Sequence, residues 1–585
     1  MRLEAKRLVV KMKDLILKVL KSKFVFAAVL NAVFAAAIII LTSFSYIDSN
    51  DYYTSIQICR DHFYYSGTIN YILAMIVGTV QYSLPDFNCF VLFQILASYA
   101  AFVSITFVFA DKYNNRKAFI FSAVLNIIYA LNHYSQVSSK STSALLLLGG
   151  FMLVLNAIYH KRYSLSCWLG VAEILFGSFL NYLYFFVALG FAIAFFFGDM
   201  LAKRKYRLQF QKFFWYSRPF FLMFLLVTLL TVGLAQFSNA VNHATDEAES
   251  YYNYSVAKTS ADALPFPDYK EHAEEFKKAG IDTETKYEVF KLGYFDPVKK
   301  LDTDALEAVN KIQLEDIKSK PMYALNAVFM DFYKHIQNPD TTLIAMFMYI
   351  GISVIFIIYH KNRFSFFPLF YLLAGIITVI VLRMFLFINT PVLYGVLMFM
   401  LALLMNSFNF EIQRSDKPSS KLRMSNGYMI ISSVAVLIVA AVNCFVFFSS
   451  LPVVNYNYVP ESLISDINRN PDCYYVMDTP TEKDFVQYTE NYLHPMWGFR
   501  SEYLENLDGF TYFHNSDMLR RRYLPENIYE AIMTNRKIYV IDKNIVFRKE
   551  NYLNENYTDK NSYVAYEQVN ELDGYKIYEV KQYEK

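Results

Sequence analysis

Two carboxylates, Asp48 and Asp51, stand in the stretch IDSNDYYTSIQICRDHF, directly after an apolar run that ends near Tyr46. A carboxylate placed where a chain leaves a membrane can serve as a general base. Partial desolvation raises its pKa from about 4 toward the range in which it takes protons from hydroxyl groups. Polar residues also cap the outer ends of membrane helices without doing chemistry, so the pair gains meaning only from its surroundings. Tyr52 and Tyr53 follow Asp51, then Arg60, Asp61 and His62, then an apolar segment over 69–82. An acid under a surface-lying segment is placed to meet a substrate that arrives in the lipid.

The composition indicates what must position that acid. The chain has 585 residues, is 55% hydrophobic and 18% charged, and has a mean hydropathy of +0.23. Soluble domains carry about 25% charged residues. The deficit is concentrated in long apolar blocks, the pattern of a polytopic membrane protein with soluble portions attached. A net charge of +3 gives no footprint for nucleic acid. The five cysteines, Cys59, Cys89, Cys167, Cys444 and Cys473, have no metal-ligand spacing. That pattern points away from zinc and from a disulfide framework. No cofactor is expected, and a divalent metal stays open.

Residues 1–23 alternate basic residues with Leu, Val and Met, and Leu8, Met12, Leu15 and Val19 share a helical face. The spacing predicts an amphipathic helix on the cytoplasmic leaflet. The first span follows over 24–46 as a retained anchor, with no A-x-A cleavage site after it. Further apolar runs lie near 89–110, 118–136, 141–159, 164–180, 182–199, 218–237, 342–359, 365–388, 391–409 and 427–449. With the first, these make about eleven transmembrane helices.

The positive-inside rule then decides how 69–82 is read. If 69–82 stays on one side, the basic loops DKYNNRK, HKRYS, KRKYRLQFQKFFWYSR, HKNRFS and EIQRSDKPSSKLR all face the cytoplasm, and Lys140 is the clear exception outside. If it crosses as a twelfth span, most of them move out. The segment is therefore expected as an interfacial or re-entrant helix on the outer face.

Three outward pieces result: the first outer loop 47–88 within the membrane region 24–237, a helical insert over 238–341, and everything after the second membrane region 342–449. In the insert, Gly280 closes YKEHAEEFKKAG as a C-cap, and Asp302 opens a periodic helix. The segment 450–585 is expected as an extracytoplasmic α/β domain. CYYVMD and KIYVID are strand-like runs that end in Asp478 and Asp542, and a hairpin turns at Asp573-Gly574. Large outward masses suit an outward-facing enzyme better than a transporter, and no internal repeat favours an inverted-repeat carrier.

This order of features resembles the GT-C superfamily of integral-membrane glycosyltransferases: a first span, acids just outside it, a surface-lying segment, many further spans and an outward soluble domain. The local pattern is similar to a group of bacterial membrane proteins described as glucosyltransferases acting on surface glycans. These carry an acidic pair followed by a Gly/Asn-containing amphipathic helix. The matching residues here are Asn50-Asp51-Tyr52, Gly67, Asn70 and Pro85-Asp86-Phe87, with AGIDTETKYEVFKLGYFDP in the insert. Asn50 replaces the first acid, so only Asp51 carries over as a carboxylate, and Asp48 stands at a different spacing.

The resemblance implies a GT-C-like fold and transfer of a sugar from a polyprenyl-phosphate-linked donor to a cell-surface glycan or lipid, at the outer face of a cell membrane. Transfer through an oxocarbenium-like state requires a base for the acceptor hydroxyl and cations for the departing phosphate. Asp51, with Asp48 in reserve, is the expected base. Arg383, in the apolar run GIITVIVLRMFLFINTP, is the first candidate for the phosphate, because an intramembrane arginine tends to have a partner. Snorkelling to a lipid phosphate explains it equally well. Arg60, Lys140, His133, Tyr52 and Lys258 are further candidates for the lipid phosphate or sugar. The run Arg520-Arg521-Arg522 reads as a solvated charge run. Two other functions remain open: a flippase or transporter of a lipid-linked glycan, and a non-enzymatic envelope assembly protein.

Overall fold

The computed structural model of the chain describes residues 22–42, 46–47, 51, 54–60, 62–113, 115–161, 163–202, 210–262, 264, 266–319, 329–330, 333–359, 363–385, 390–409, 434, 438–447, 449, 460–470, 472–489, 504–506, 527–543 and 546–585. The amphipathic face expected at Leu8, Met12, Leu15 and Val19 and the run Arg520-Arg521-Arg522 lie outside these residues. The chain divides into two compact units, each assembled from three stretches.

The first unit comprises Met1–Asp48, Leu92–Phe237 and Ala324–Pro452. Across the whole chain, six described helices are long and apolar enough to cross a membrane: Lys23–Ile40, Cys89–Lys112, Arg116–Ser135, Ser139–His160, Ser217–Asn242 and Thr341–Ile358. Leu165–Leu180, Tyr182–Gly198, Phe367–Leu382, Val392–Asn406 and Ile438–Phe447 are shorter apolar helices. The architecture is mostly helical with a small sheet near the C-terminus, and it agrees with a helical membrane protein.

Lipid offers helices no hydrophobic drive to associate, so close packing and hydrogen bonds must hold them together. Both are present. A Cβ on Gly150 would sit 2.6 Å from the carbonyl oxygen of Gly170, so the helices Ser139–His160 and Leu165–Leu180 pack backbone to backbone. Asn31, fully buried in the first helix, donates to the Thr106 hydroxyl at 3.0 Å and accepts from Asn126 Nδ2 at 2.8 Å. Residues Asn126–Ala130 form a π-helical turn, which disturbs the regular carbonyl ladder. Asn443 Nδ2 donates to the Ile127 carbonyl at 2.7 Å and the Tyr394 hydroxyl donates to the Ile128 carbonyl, so that these backbone groups are satisfied where water is scarce.

The second unit comprises Ser49–Val91, Ser238–Tyr323 and Val453–Lys585. One apolar core joins all three stretches. Tyr251, Tyr254, Phe276, Tyr287 and Phe290 of the insert pack with Tyr474, Val476, Tyr529, Val540 and Tyr552 near the C-terminus, and Phe63 and Tyr65 lean on the same cluster. Three stretches that read as separate pieces in the sequence thus form one body.

Its sheet has five strands in the order β4-β3-β5-β7-β6. Strand β3 (Tyr474–Met477) runs parallel to β4 (Leu504–Asn506) and to β5 (Ile538–Asp542). β5 pairs antiparallel with β7 (Tyr575–Glu584), and β6 (Ser562–Leu572) closes a hairpin with β7. The turn Asp573-Gly574 has φ of 52° and 79°, as a two-residue hairpin turn requires. Tyr474 and Val476 face the shared core, whereas Tyr475 and Met477 face a second cluster with Leu463, Ile467 and Phe485. Burial on both faces explains why these strands read as unbroken apolar runs.

Chain order reverses direction between β3 and β5, which is where open α/β sheets usually leave a ligand crevice at the carboxyl ends. Here the chain itself fills that place. Asp478 follows β3 and Asp542 ends β5, and Lys549 from the helix Val546–Asn556 reaches both, at 2.7 and 2.6 Å. All three side chains are essentially without solvent contact. The insert closes in beside them: a Cβ on Gly293 would lie 2.4 Å from the Thr479 hydroxyl. Next to it, Asp296 accepts from the Tyr552 hydroxyl at 2.6 Å and from the Tyr557 hydroxyl.

Removing one member of a buried ion cluster leaves uncompensated charge and costs roughly 3–5 kcal/mol. Lys549→Met is therefore expected to lower the unfolding transition of the purified protein and expose the second unit to protease. The triple variant Lys549→Met/Asp478→Asn/Asp542→Asn is expected to recover much of the loss.

Candidate functional site

The acid-bearing segment begins where the first apolar helix, Lys23–Thr42, ends. In the first unit, β1 (Tyr46–Ile47) pairs parallel with β2 (Gln136–Val137), with Tyr46 opposite Gln136 and Ile47 opposite Val137. This bridge sets the exit of the first helix beside the turn that separates His133 from Lys140. His133 is buried in the short helix Leu131–Ser135, edge-on to Phe102 at 5.7 Å, and its Nδ1 has no hydrogen-bond partner. Lys140 lies half-buried in the first turn of Ser139–His160. Arg383 belongs to the helix Phe367–Phe385, and its side chain lies outside the described residues.

In the second unit, Asp51 is helical and 4% exposed. A carboxylate this enclosed is not a solvated loop residue, because burial of a charge must be answered by hydrogen bonds or partners. Its backbone carbonyl accepts from the Ser55 hydroxyl at 2.8 Å. A π-helical stretch, Ile56–Arg60, follows. Asp48, Tyr52 and the side chain of Arg60 lie outside the described residues.

A polar network of the second unit fixes this segment. The Gln57 side-chain amide donates to the Tyr65 carbonyl, and its oxygen accepts from the Tyr251 hydroxyl at 2.8 Å. The Thr54 and Thr68 hydroxyls are 3.4 Å apart, and Ser66 meets Thr68 at 2.8 Å. Asn242 Nδ2 donates to the Ser66 carbonyl at 3.1 Å. Cys59 is buried beside Asn88, and burial pushes its thiol up to about 12, so it is no nucleophile at neutral pH. Lys258 lies on the helix Asp246–Asp262 and is held by Asp262 at 2.6 Å, so its charge is already answered.

Gly67 and Asn70 have definite structural work. A Cβ on Gly67 would meet Val256 Cγ2 at 2.7 Å and the Val256 amide nitrogen at 3.1 Å, so only glycine lets this turn approach the insert helix. Asn70 caps the helix Tyr71–Gln81 by accepting from the Ile72 amide at 2.9 Å. The Ser238 hydroxyl accepts from the Tyr71 amide at 2.9 Å. The 11-residue helix is about 16 Å long, roughly half a hydrocarbon core, and is too short to cross unaided. Leu73, Ala74, Val77, Gly78 and Gln81 are buried, while Met75, Ile76, Val80 and Tyr82 are exposed. Gln81 then holds the turn through Pro85-Asp86-Phe87: it donates to the Phe87 carbonyl at 2.8 Å and accepts from the Cys89 amide at 3.1 Å.

Two features escaped the sequence reading. One is the cluster of Lys549 with Asp478 and Asp542; the two strand-terminal acids are visible in sequence, but their shared lysine is not. The other is Glu173, a single acid in the apolar run GVAEILFG. Among the described residues, no group of three or more His, Cys, Asp or Glu side chains is placed to hold a metal ion.

Comparison with known proteins finds no family model, no curated protein and no solved structure that matches the chain.

Asn70→Ala removes the cap and is expected to cost about 1 kcal/mol, with Asn70→Ser close to neutral. Gly67→Val forces the turn away from the insert helix, at about 1–3 kcal/mol. Thermal unfolding of the purified variants, followed with protease cleavage of the loop 47–88, checks both.

Proposed function

We propose that this chain is a membrane glycosyltransferase of GT-C type, moving a sugar from a polyprenyl-phosphate-linked donor to a cell-surface glycan or lipid. Asp51 is the base. The reading is carried by one observation: a carboxylate buried four residues beyond the end of the exit strand β1, in the same unit as a short amphipathic helix whose exposed face is Met75, Ile76 and Val80. Such a face suits the headgroup boundary, where the phosphate of a lipid-linked donor resides.

In this reading the basic loops face the cytoplasm and the second unit faces out. Nucleotide sugars stay in the cytoplasm, so an outward transferase takes a donor that crosses with its lipid. The acceptor hydroxyl oxygen forms a bond to the anomeric carbon while the bond from that carbon to the phosphate oxygen breaks. The hydroxyl proton passes to Asp51, and the polyprenyl phosphate leaves with the bonding electrons. Arg383, Arg60 and Lys140 are the cations proposed to receive its charge, with His133 and Tyr52 as contacts to the phosphate or sugar. Lys258 joins them only by giving up Asp262. The shared core gives the C-terminal sheet a supporting role: it braces the insert, which in turn braces the acid-bearing loop.

General-base catalysis contributes about 10²–10⁴-fold. Asp51→Asn is expected to insert in membranes as the parent does and to lose sugar transfer by that factor, assayed with a labelled polyprenyl-phosphate sugar. Full activity in the variant removes Asp51 from the mechanism. Movement of the labelled donor across vesicles without transfer supports the flippase reading instead.

A further inference from the structure

The bundle of the first unit holds an acid that the proposed reaction does not use. Glu173 lies midway along the apolar helix Leu165–Leu180, whose Leu165, Trp168 and Leu169 are exposed as lipid-facing residues would be. Its Oε1 accepts a hydrogen bond from the Ser104 hydroxyl. Its Oε2 is enclosed and has no hydrogen-bond partner. Room for that oxygen exists because residue 149 is glycine: a Cβ there would stand 2.8 Å from Oε2 and 3.1 Å from the carbonyl oxygen of Ala101.

A carboxylate in hydrocarbon needs either several donors or an opposite charge. Here one hydroxyl serves one oxygen, and no described cation faces the other. The helix Cys89–Lys112 offers Ser104; its charges, Asp111 and Lys112, come about two turns later. The helix Ser139–His160 offers Gly149, and its Lys140 and His160 sit at its two ends. The helix Tyr182–Ala202 carries Tyr182 and Tyr184 in its first turn, and the side chain of its Asp199 lies outside the described residues.

We propose that Glu173 is a proton-binding site inside the membrane bundle: its carboxyl takes up and releases a proton in the gap left by Gly149. A proton cancels a charge that, among the described residues, only the Ser104 hydroxyl answers. A metal ion would need further oxygen ligands that the gap does not supply.

The seam between the two neighbouring helices also ends in titratable groups. About two turns past Ser104, Asp111 binds Lys23 at 2.6 Å and Asn156 at 3.1 Å, with His160 at 3.7 Å. Asn156 lies about two turns past Gly149 on the same face of its helix. The site is independent of Asp51, and its test needs no sugar donor.

Infrared difference spectra of the reconstituted protein, recorded as pH is stepped, read the carbonyl stretch of a protonated carboxylic acid directly. The expected result is a band that loses intensity as pH rises, is absent from Glu173→Gln, and moves in frequency in Ser104→Ala, where one hydrogen bond is lost. Covalent labelling of the peptide containing Glu173 by dicyclohexylcarbodiimide, which attacks protonated carboxyls in lipid, is expected to fall over the same pH steps. The proposal is overturned if the band survives Glu173→Gln, or if neither band nor labelling responds to pH. It is overturned in favour of a small-cation site if sodium at fixed pH abolishes the band. Should Glu173→Gln fail to fold, the frequency shift in Ser104→Ala decides; an unshifted band rejects the assignment.

Discussion

Charge removed from water must be answered by the protein, and the described parts of this chain are organised around such answers. Lys549 binds two aspartates at the carboxyl ends of neighbouring strands. Asp296 takes hydrogen bonds from two tyrosines, and burial still holds its carboxyl above the usual range. Each of these sites ties segments that are far apart in sequence. The insert is bound to the C-terminal segment by Asp296 and the shared aromatic core, and the loop 47–88 is bound to the insert through Gln57, Tyr251, Ser66 and Asn242. Asp51, 4% exposed, belongs to this braced body.

The same constraint acts at the C-terminal sheet. Its strand order provides the usual place for a ligand between β3 and β5, but Lys549 bridges Asp478 and Asp542 at the strand ends and Gly293 presses against Thr479. The sheet thereby becomes a support for the insert.

Much of this was legible in the sequence, for reasons that are local. Apolar runs gave the helices, because lipid demands continuous hydrophobicity over a fixed length. Asp573-Gly574 gave the hairpin, because left-handed backbone selects those residues. The glycine at position 280, with φ of 91°, closes its helix as its place at the end of YKEHAEEFKKAG suggests. The acid at position 51 stood out by where it lies. Long-range partners were not legible: Lys549 gives no sign of its two aspartates, and the merging of the loop, the insert and the C-terminal segment depends on contacts across hundreds of residues. Glu173 is legible as one acid that breaks an apolar run, but the sequence does not show the Ser104 and Gly149 that enclose it. Gly67 and Asn70 were picked out by resemblance, and their physical roles, close approach and helix capping, emerged only from the fold.

The account rests on the second unit, with Asp51 in it, lying on the non-cytoplasmic side. Ser83 is exposed in the turn after the short amphipathic helix and belongs to that unit. A Ser83→Cys variant treated on intact cells with a membrane-impermeant thiol reagent tests the placement directly. The account predicts labelling above the parent chain before the membrane is opened. Labelling that appears only after permeabilisation puts the unit in the cytoplasm and contradicts it.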